Sequence, residues 1–306
     1  MTNTLHIIFN QIKEKLQSDE FIYKPANTGN ADIDVKTLIV DSLNEAYQII
    51  TIIGEYLDTC KPDVSILEIG TGMGIAAACL KKAGFDVHAI EPHTAGFENC
   101  SLLYQRVYSI LDIGDIVLPV TIEQMPLNKQ YDFIFSFNVL EHVNNIEAAF
   151  RVLSNILKPA GVMVHSCPNY SIPYEPHCNV LLLPFVPQYT HYVCRRLRNA
   201  VGLSLTFTTV GLIKKLAEGN NLAVPFKNDV LYNTFRRFEY DAAFAQRQKG
   251  LPLLLYTVLK RCGLLWLTKH VPVAMQTPMV FTLHKKIGYG IYTGSGGYKR
   301  GGLSPL

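Results

Sequence analysis

The sequence predicts an α/β fold, a doubly wound and mostly parallel sheet with N-terminal helices and a C-terminal insertion covering it. Three observations carry this. Short apolar runs alternate with helix-length segments between residues 64 and 167, and strands alternating with helices imply parallel strands joined by right-handed crossovers. A glycine-rich turn follows the first apolar run directly. No period of roughly 20 to 50 residues repeats, which removes a solenoid.

From Thr37 to Asp58, Val40, Leu43, Ala46, Tyr47, Ile50, Ile53 and Leu57 recur at helical spacing, so an amphipathic helix is expected there. Lys61-Pro62-Asp63 breaks it, and Val64 to Ile69 reads as a short buried strand. Further strands are expected at Asp86 to Glu91, Asp115 to Val120, Tyr131 to Val139, Gly161 to Cys167 and Met279 to Lys286. Helices are expected at Ile75 to Ala83 and Ile146 to Lys158, the latter ended by Pro159. The expected organisation is a helical segment over 1–60, a core over 61–169, a proline-rich and helical covering region over 170–270, a late strand within 271–287 and a glycine-rich, disordered tail over 288–306.

The 306 residues are 48% hydrophobic and 17% charged, the charged share lying below the usual quarter. Residues 1–194 hold 11 Lys and Arg against 21 Asp and Glu, whereas residues 195–306 hold 17 against 4. A basic C-terminal region suits an anionic lipid surface, a phosphorylated substrate or nucleic acid, and equally a solvated face lying on the acidic half. Seven cysteines without a C-x-x-C pair indicate neither a disulfide framework nor a zinc site, and read as reduced, mostly buried thiols. The N-terminus lacks the pattern of a secretory signal, so a cytoplasmic location is expected. Leu251 to Leu267, the most apolar stretch, is interrupted by Lys260 and Arg261 and is too short to span a bilayer. A core helix is the first expectation for it; an interfacial helix at a peripheral membrane contact, or the lining of a greasy pocket, is the second.

The chemistry starts at Glu68-Ile69-Gly70-Thr71-Gly72-Met73-Gly74. A glycine-rich turn between the first strand and helix, with an acid ending the second strand, marks an adenosine-containing cofactor. Glu91, twenty-one residues after Gly70, stands where a carboxylate accepts ribose hydroxyls. Gly72 to Ala77 also satisfies the loose dinucleotide pattern, but Glu68 would repel a pyrophosphate, whereas the α-ammonium and sulfonium of S-adenosylmethionine (SAM) are cationic.

The run resembles the E-x-G-x-G-x-G loop of the Rossmann-like class I SAM-dependent methyltransferases. The likeness continues through YDFIFSFNVLEHV at 131–143 and LKPAGVMVHSCPN at 157–169. It implies that Glu68, Gly70, Thr71, Gly72 and Gly74 hold the methionine end of SAM, that Glu91 holds the ribose and that Asn138 lies near the methyl donor. The adenine falls to Thr121 to Pro126; many members have Asp where Thr121 stands, which leaves Glu123 or the Ile122 backbone as the contact.

The acceptor side is read from loops at the carboxyl ends of the strands. His177 is the first choice of general base, beside His142 and Glu175, with Asn169, Tyr170 and Tyr174 as acceptor contacts. Each has a plainer reading: His142 as a hydrogen-bonded helix-start residue, His177 as part of a loop fixed by two prolines. The Asn138-Val-Leu-Glu-His142 run resembles the E-x-x-E-H segment of ubiquinone-biosynthesis O-methyltransferases, but Asn138 replaces the first Glu, so no metal is expected. No Asn-Pro-Pro-Tyr or Asp-Pro-Pro-Tyr run follows the fourth strand, which disfavours methylation of a nucleobase amino nitrogen, and nucleic acid is not the expected partner despite the basic C-terminal region. Apolar segments together with Arg195, Arg196, Arg198, Arg236 and Arg237 suit O-methylation of a small-molecule acceptor that is lipid-like or carries phosphate or sugar. A nicotinamide-dependent oxidoreductase and a non-catalytic SAM-fold binding protein are the alternatives.

Overall fold

The computed structural model describes residues 1–18, 35–58, 63–92, 98–176, 178–248 and 250–286. The tail expected over 288–306 lies outside them. Two helices, α1 (Thr2–Ser18) and α2 (Val35–Leu57), precede the sheet. The alternation then runs β1 (Ser65–Ile69), α3 (Ile75–Lys82), β2 (Asp86–Ile90), α4 (Glu98–Leu111), β3 (Val117–Leu118), β4 (Tyr131–Phe137), α5 (Ile146–Ile156) and β5 (Leu157–Cys167).

A hairpin of β6 (Tyr174–Glu175) and β7 (Val180–Leu181) follows, then α6 (Thr190–Val193), α7 (Ala200–Leu203), α8 (Val210–Gly219), β8 (Leu222–Ala223), α9 (Val230–Tyr240), α10 (Ala242–Arg247), α11 (Leu251–Arg261) and β9 (Met279–Lys285). The main sheet has the order β3-β2-β1-β4-β5-β9-β8. Its first five strands are parallel, and β9 enters antiparallel to β5. Chain direction across the sheet reverses between β1 and β4, the switch point where ligands of open α/β sheets bind.

Both faces of the sheet are covered. Ile66, Val87, Phe133 and Phe135 pack with α1, α2 and α3, while Leu67, Ile134, Met163 and Phe281 pack with α5 and α8. Strands buried on both sides read as unbroken apolar runs, which is why their positions are legible.

The structure corrects four details. In α2, Val40 and Tyr47 are exposed rather than part of the buried stripe, their places taken by Ile39 and Ile49. Helix α5 stops at Ile156 because Leu157 already pairs with Tyr131 of β4. Helix α11 is no core helix: Tyr256 is its buried residue, while most of its leucines are exposed. Among the described cysteines, Cys79 and Cys167 are buried, whereas Cys178, Cys194 and Cys262 reach the surface in part or fully.

Candidate active site

The loop after β1 is pinned from three directions. The amides of Gly70 and Thr71 donate to the Ile90 carbonyl at 2.8 and 3.2 Å, tying the loop to the end of β2. Thr71 Oγ1 donates to Glu68 Oε2 at 2.7 Å. The Gly72 amide donates to Glu91 Oε2 at 2.7 Å, so the acid ending β2 closes onto the glycine turn itself. A pyrophosphate would need such an amide for itself; here a carboxylate holds it.

Two glycines are required for different reasons. Gly70 has φ +68°, and a Cβ there would lie 2.3 Å from Val139 Cγ2, so the loops leaving β1 and β4 meet only because residue 70 lacks a side chain. Gly72 has φ +55°, and a Cβ would meet nothing within 4 Å, so the backbone faces open space. Gly74 instead faces the Tyr108 hydroxyl.

That open space belongs to a cavity of about 2080 Å³ at the carboxyl ends of the strands. Its wall includes Glu68, Gly70, Thr71, Gly72 and Glu91, then Ile122, Glu123 and Asn138, and also His142 and Tyr174. The glycine motif and the family resemblance had pointed to the first eight and the loops at the strand ends to the last two, and the fold brings the ten together. Gly74, Asn169, Tyr170 and Glu175 do not line it. Asn169 is fully buried, donating through Nδ2 to the carbonyls of Ala274 and Gln276 at 3.0 Å each. Tyr170 turns into a small core beside Phe207, and Glu175 accepts the Cys178 amide inside its own hairpin. His177 lies outside the described residues.

Burial dominates the electrostatics. Glu68 is enclosed, and desolvation pushes its carboxyl up to about 8 against the opposing hydrogen bonds from Thr71 and Ala77. Desolvation likewise raises Glu91 to about 7 against the Gly72 amide. Two buried acids of raised pKa beside an open backbone cradle form a site that a cationic ligand relieves. At the end of β4, Asn138 takes the left-handed φ of +55°, which asparagine tolerates, and donates through Nδ2 to Glu45 Oε1 at 2.7 Å. His142 closes a 3-10 turn, its Nδ1 within 2.9 Å of Ser204 Oγ.

Sequence reasoning missed one wall and reached part of another only as a second expectation. Asp41, Asn44, Glu45 and Gln48 of α2 line the cavity, a polar stripe at i, i+3, i+4 and i+7 opposite the apolar one, and that spacing was the available signal. Phe235 and Phe238 of α9 with Leu251, Leu255 and Leu259 of α11 form an apolar wall; the α11 part is the pocket lining held as an alternative for Leu251 to Leu267, whereas no short motif announces the α9 part.

A family model described as a methyltransferase domain matches residues 43–225. An uncharacterized protein of Mycobacterium tuberculosis is 30% identical over 232 residues, covering 72% of this chain and 79% of its own length. The ubiquinone biosynthesis O-methyltransferase of Rickettsia prowazekii is 32% identical over 130 residues, 42% of this chain. This chain spans about half of that enzyme, 49% of its length. Among solved structures, a Haemonchus contortus phosphoethanolamine N-methyltransferase bound to SAM aligns with TM-score 0.45 and 16% identity, over 79% of this chain and 52% of its own. With the family model covering more than half of the chain, and the donor loop at the switch point of the sheet, the protein belongs to the methyltransferase-domain family, as a class I SAM-dependent methyltransferase.

Proposed function

We propose that the protein methylates a hydroxyl of a small acceptor with a largely apolar body, and that His142 is the general base. The observation carrying this is the cavity itself: the glycine cradle with Glu68 and Glu91 on one part of its wall, the aromatic and leucine surface of α9 and α11 on another, and His142 in the wall beside Asn138. SAM fits the first part, as the two buried acids and the open space over Gly72 suit a ligand with cationic and hydroxyl groups. When bound, it supplies an electrophilic methyl group on a sulfonium.

Glu68 holds the methionine end through charge, with Thr71 orienting its carboxylate. Glu91 accepts the ribose hydroxyls, and Glu123 with the Ile122 backbone bounds the adenine side. Asn138, steered by Glu45, stands towards the donor. The His142 ring, oriented by Ser204, would take the acceptor proton as the acceptor oxygen attacks in line, while bound SAM would supply the methyl carbon and retain the electron pair of the broken bond. Likeness to the ubiquinone-biosynthesis O-methyltransferases supports oxygen as the acceptor atom.

The anionic acceptor expected from the arginines has weaker support. Of the five, Arg237 lines the cavity, and it is held by Asp241 at 2.9 Å; Arg198 spends its guanidinium on the carbonyls of His191 and Tyr192. One observation favours a second reading, an amine acceptor: the charged residues of the wall are six acids, Asp41, Glu45, Glu55, Glu68, Glu91 and Glu123, against Lys227 and Arg237.

Calorimetry with SAM and with NAD(H), followed by mass spectrometry of products from phenolic and amine acceptors, tests both readings. SAM binding and a phenolic methyl ether support the first; an N-methyl product moves the assignment to the second; NAD(H) binding alone overturns both. His142→Ala should lower kcat about 10²-fold or more, the usual share of a general base, and leave the SAM Kd unchanged. An unaltered kcat removes His142 from the chemistry.

A further inference from the structure

We propose that the outward face of α11, continued by the turn Leu265–His270, docks on an anionic lipid bilayer. Leu251, Leu254, Leu255 and Val258 stand at i, i+3, i+4 and i+7, one stripe of the helix, with 45%, 60%, 45% and 50% of their surfaces exposed. Leu264, Trp266 and Leu267 extend it, Trp266 at 54%. The helix is fixed in this orientation from behind. Tyr256 stacks on Phe238 with ring centroids 4.3 Å apart, while Lys260 donates to the Tyr256 hydroxyl at 2.8 Å and pairs with Glu239 at 3.3 Å. The stripe is therefore presented to solvent by packing on the opposite side. Contiguous apolar surface of this kind marks an interaction site.

Charge selects the partner. From Ala242 to Leu306 the chain has nine lysines and arginines and no acid. Arg261, one turn beyond Val258, and Lys269, three residues after Trp266 and with its ammonium 4.4 Å from the Tyr232 ring centre, are exposed. Leucines in the acyl boundary, a tryptophan at headgroup level and flanking cations are the composition of an interfacial helix. No described helix is long and apolar enough to cross a membrane, so the helix would lie on the surface.

The same residues reach the cavity. Leu251, Leu255 and Leu267 line it while each exposes two-fifths or more of its surface, so the cavity wall and the docking face share side chains. Docking sets that wall against the bilayer, and a lipid-soluble acceptor enters without crossing water. The docking itself does not depend on which acceptor the protein methylates.

The test uses the full chain with vesicles of phosphatidylcholine alone and of phosphatidylcholine mixed with phosphatidylglycerol. Trp266 is the sole tryptophan, so its emission reports this face alone. Emission should shift to the blue and the protein should sediment with the mixed vesicles, more weakly as salt rises. Leu254→Asp with Val258→Asp should cut the bound fraction about tenfold or more. Arg261→Glu with Lys269→Glu should cut it by about fivefold per charge. Both variants should keep the SAM Kd of the parent, which separates lost docking from a misfolded chain or a wrong cofactor. No sedimentation with anionic vesicles, or equal binding by the leucine variant, overturns the proposal. A solution dimer that this variant splits into monomers also overturns it, by placing a second copy on the face.

Discussion

The donor loop and the region that covers it are built by different means. Around Gly70 to Gly74, position is set mainly by backbone: parallel register, the Gly70 and Thr71 amides given to the Ile90 carbonyl, and a glycine where two loops touch, with the carboxylates of Glu68 and Glu91 as the side-chain pins. From Asn169 to Gln276 it is set by side chains reaching distant backbone. Asn169 holds the carbonyls of Ala274 and Gln276, Gln276 holds those of Asn228 and Val271, and Thr208 holds that of Pro168. Backbone-built sites tolerate changes of side chain; side-chain-built ones change shape with a single substitution. The donor end is thus the conservative part of the machine, and the acceptor end the adjustable one.

Gly70→Ala is the hardest blow to the backbone-built part. It adds the strain of a left-handed alanine to the collision with Val139, so a loss of about 3 kcal/mol is expected in denaturant unfolding. Gly72→Ala carries the strain without the collision, so it should cost about 1 kcal/mol of stability yet weaken SAM binding in calorimetry. Equal stability losses for the two would deny the contact between the β1 and β4 loops. Asn169→Ala attacks the side-chain-built part. It takes the Asn169 amide donor from the carbonyls of Ala274 and Gln276, the latter buried, and should cost about 2 kcal/mol, with the SAM Kd unchanged. If SAM affinity fell as well, the two regions would not be separable.

The two buried acids give the donor end a pH signature. Glu68 and Glu91 have folded pKa values of about 8 and about 7, above the ordinary 4.5, so the folded protein binds their protons more tightly than the unfolded chain. Their protonation stabilises the ligand-free fold below the unfolded value, and that stability is lost as pH rises through the folded values. The Tm of the ligand-free protein should therefore fall between about pH 5 and 8, and less so in Glu91→Gln. SAM binding should strengthen over the same window, because an ionised Glu91 accepts hydroxyls and an ionised Glu68 attracts the ammonium. Glu91→Gln should lose about tenfold in SAM affinity, about 1.4 kcal/mol. A Tm independent of pH would mean that these carboxyls are solvated.

The difference in construction also explains what the sequence disclosed. Strands buried on both faces and a glycine loop are short-range patterns, so β1, β2, β4 and β5 and the donor cradle were legible from residues 64 to 167. The acceptor side was legible only as a neighbourhood. Tyr174 reaches the cavity while Asn169 and Tyr170, a few residues away, turn inward, because contacts with Gln276 and Phe207 decide their direction and those partners are remote in sequence. The polar face of α2 was visible as a period, yet solvent is the ordinary neighbour of such a face. That it borders a cavity follows from the return of residues 227 to 275 over it.

The smallest expected effect probes the seam between the two regions. Lys227, in the covering region, pairs with Glu55 of α2 at 3.1 Å, and both line the cavity. The side chains are 31% and 58% exposed, so solvent screens the pair and Lys227→Ala should cost under about 1 kcal/mol, less still at high salt. Such a loss, read from denaturant midpoints at two ionic strengths, agrees with regions that are stabilised independently. A loss of several kcal/mol insensitive to salt would show the seam carrying cooperative stability, and the separation between a backbone-built donor end and a side-chain-built acceptor end would then fail at this ion pair.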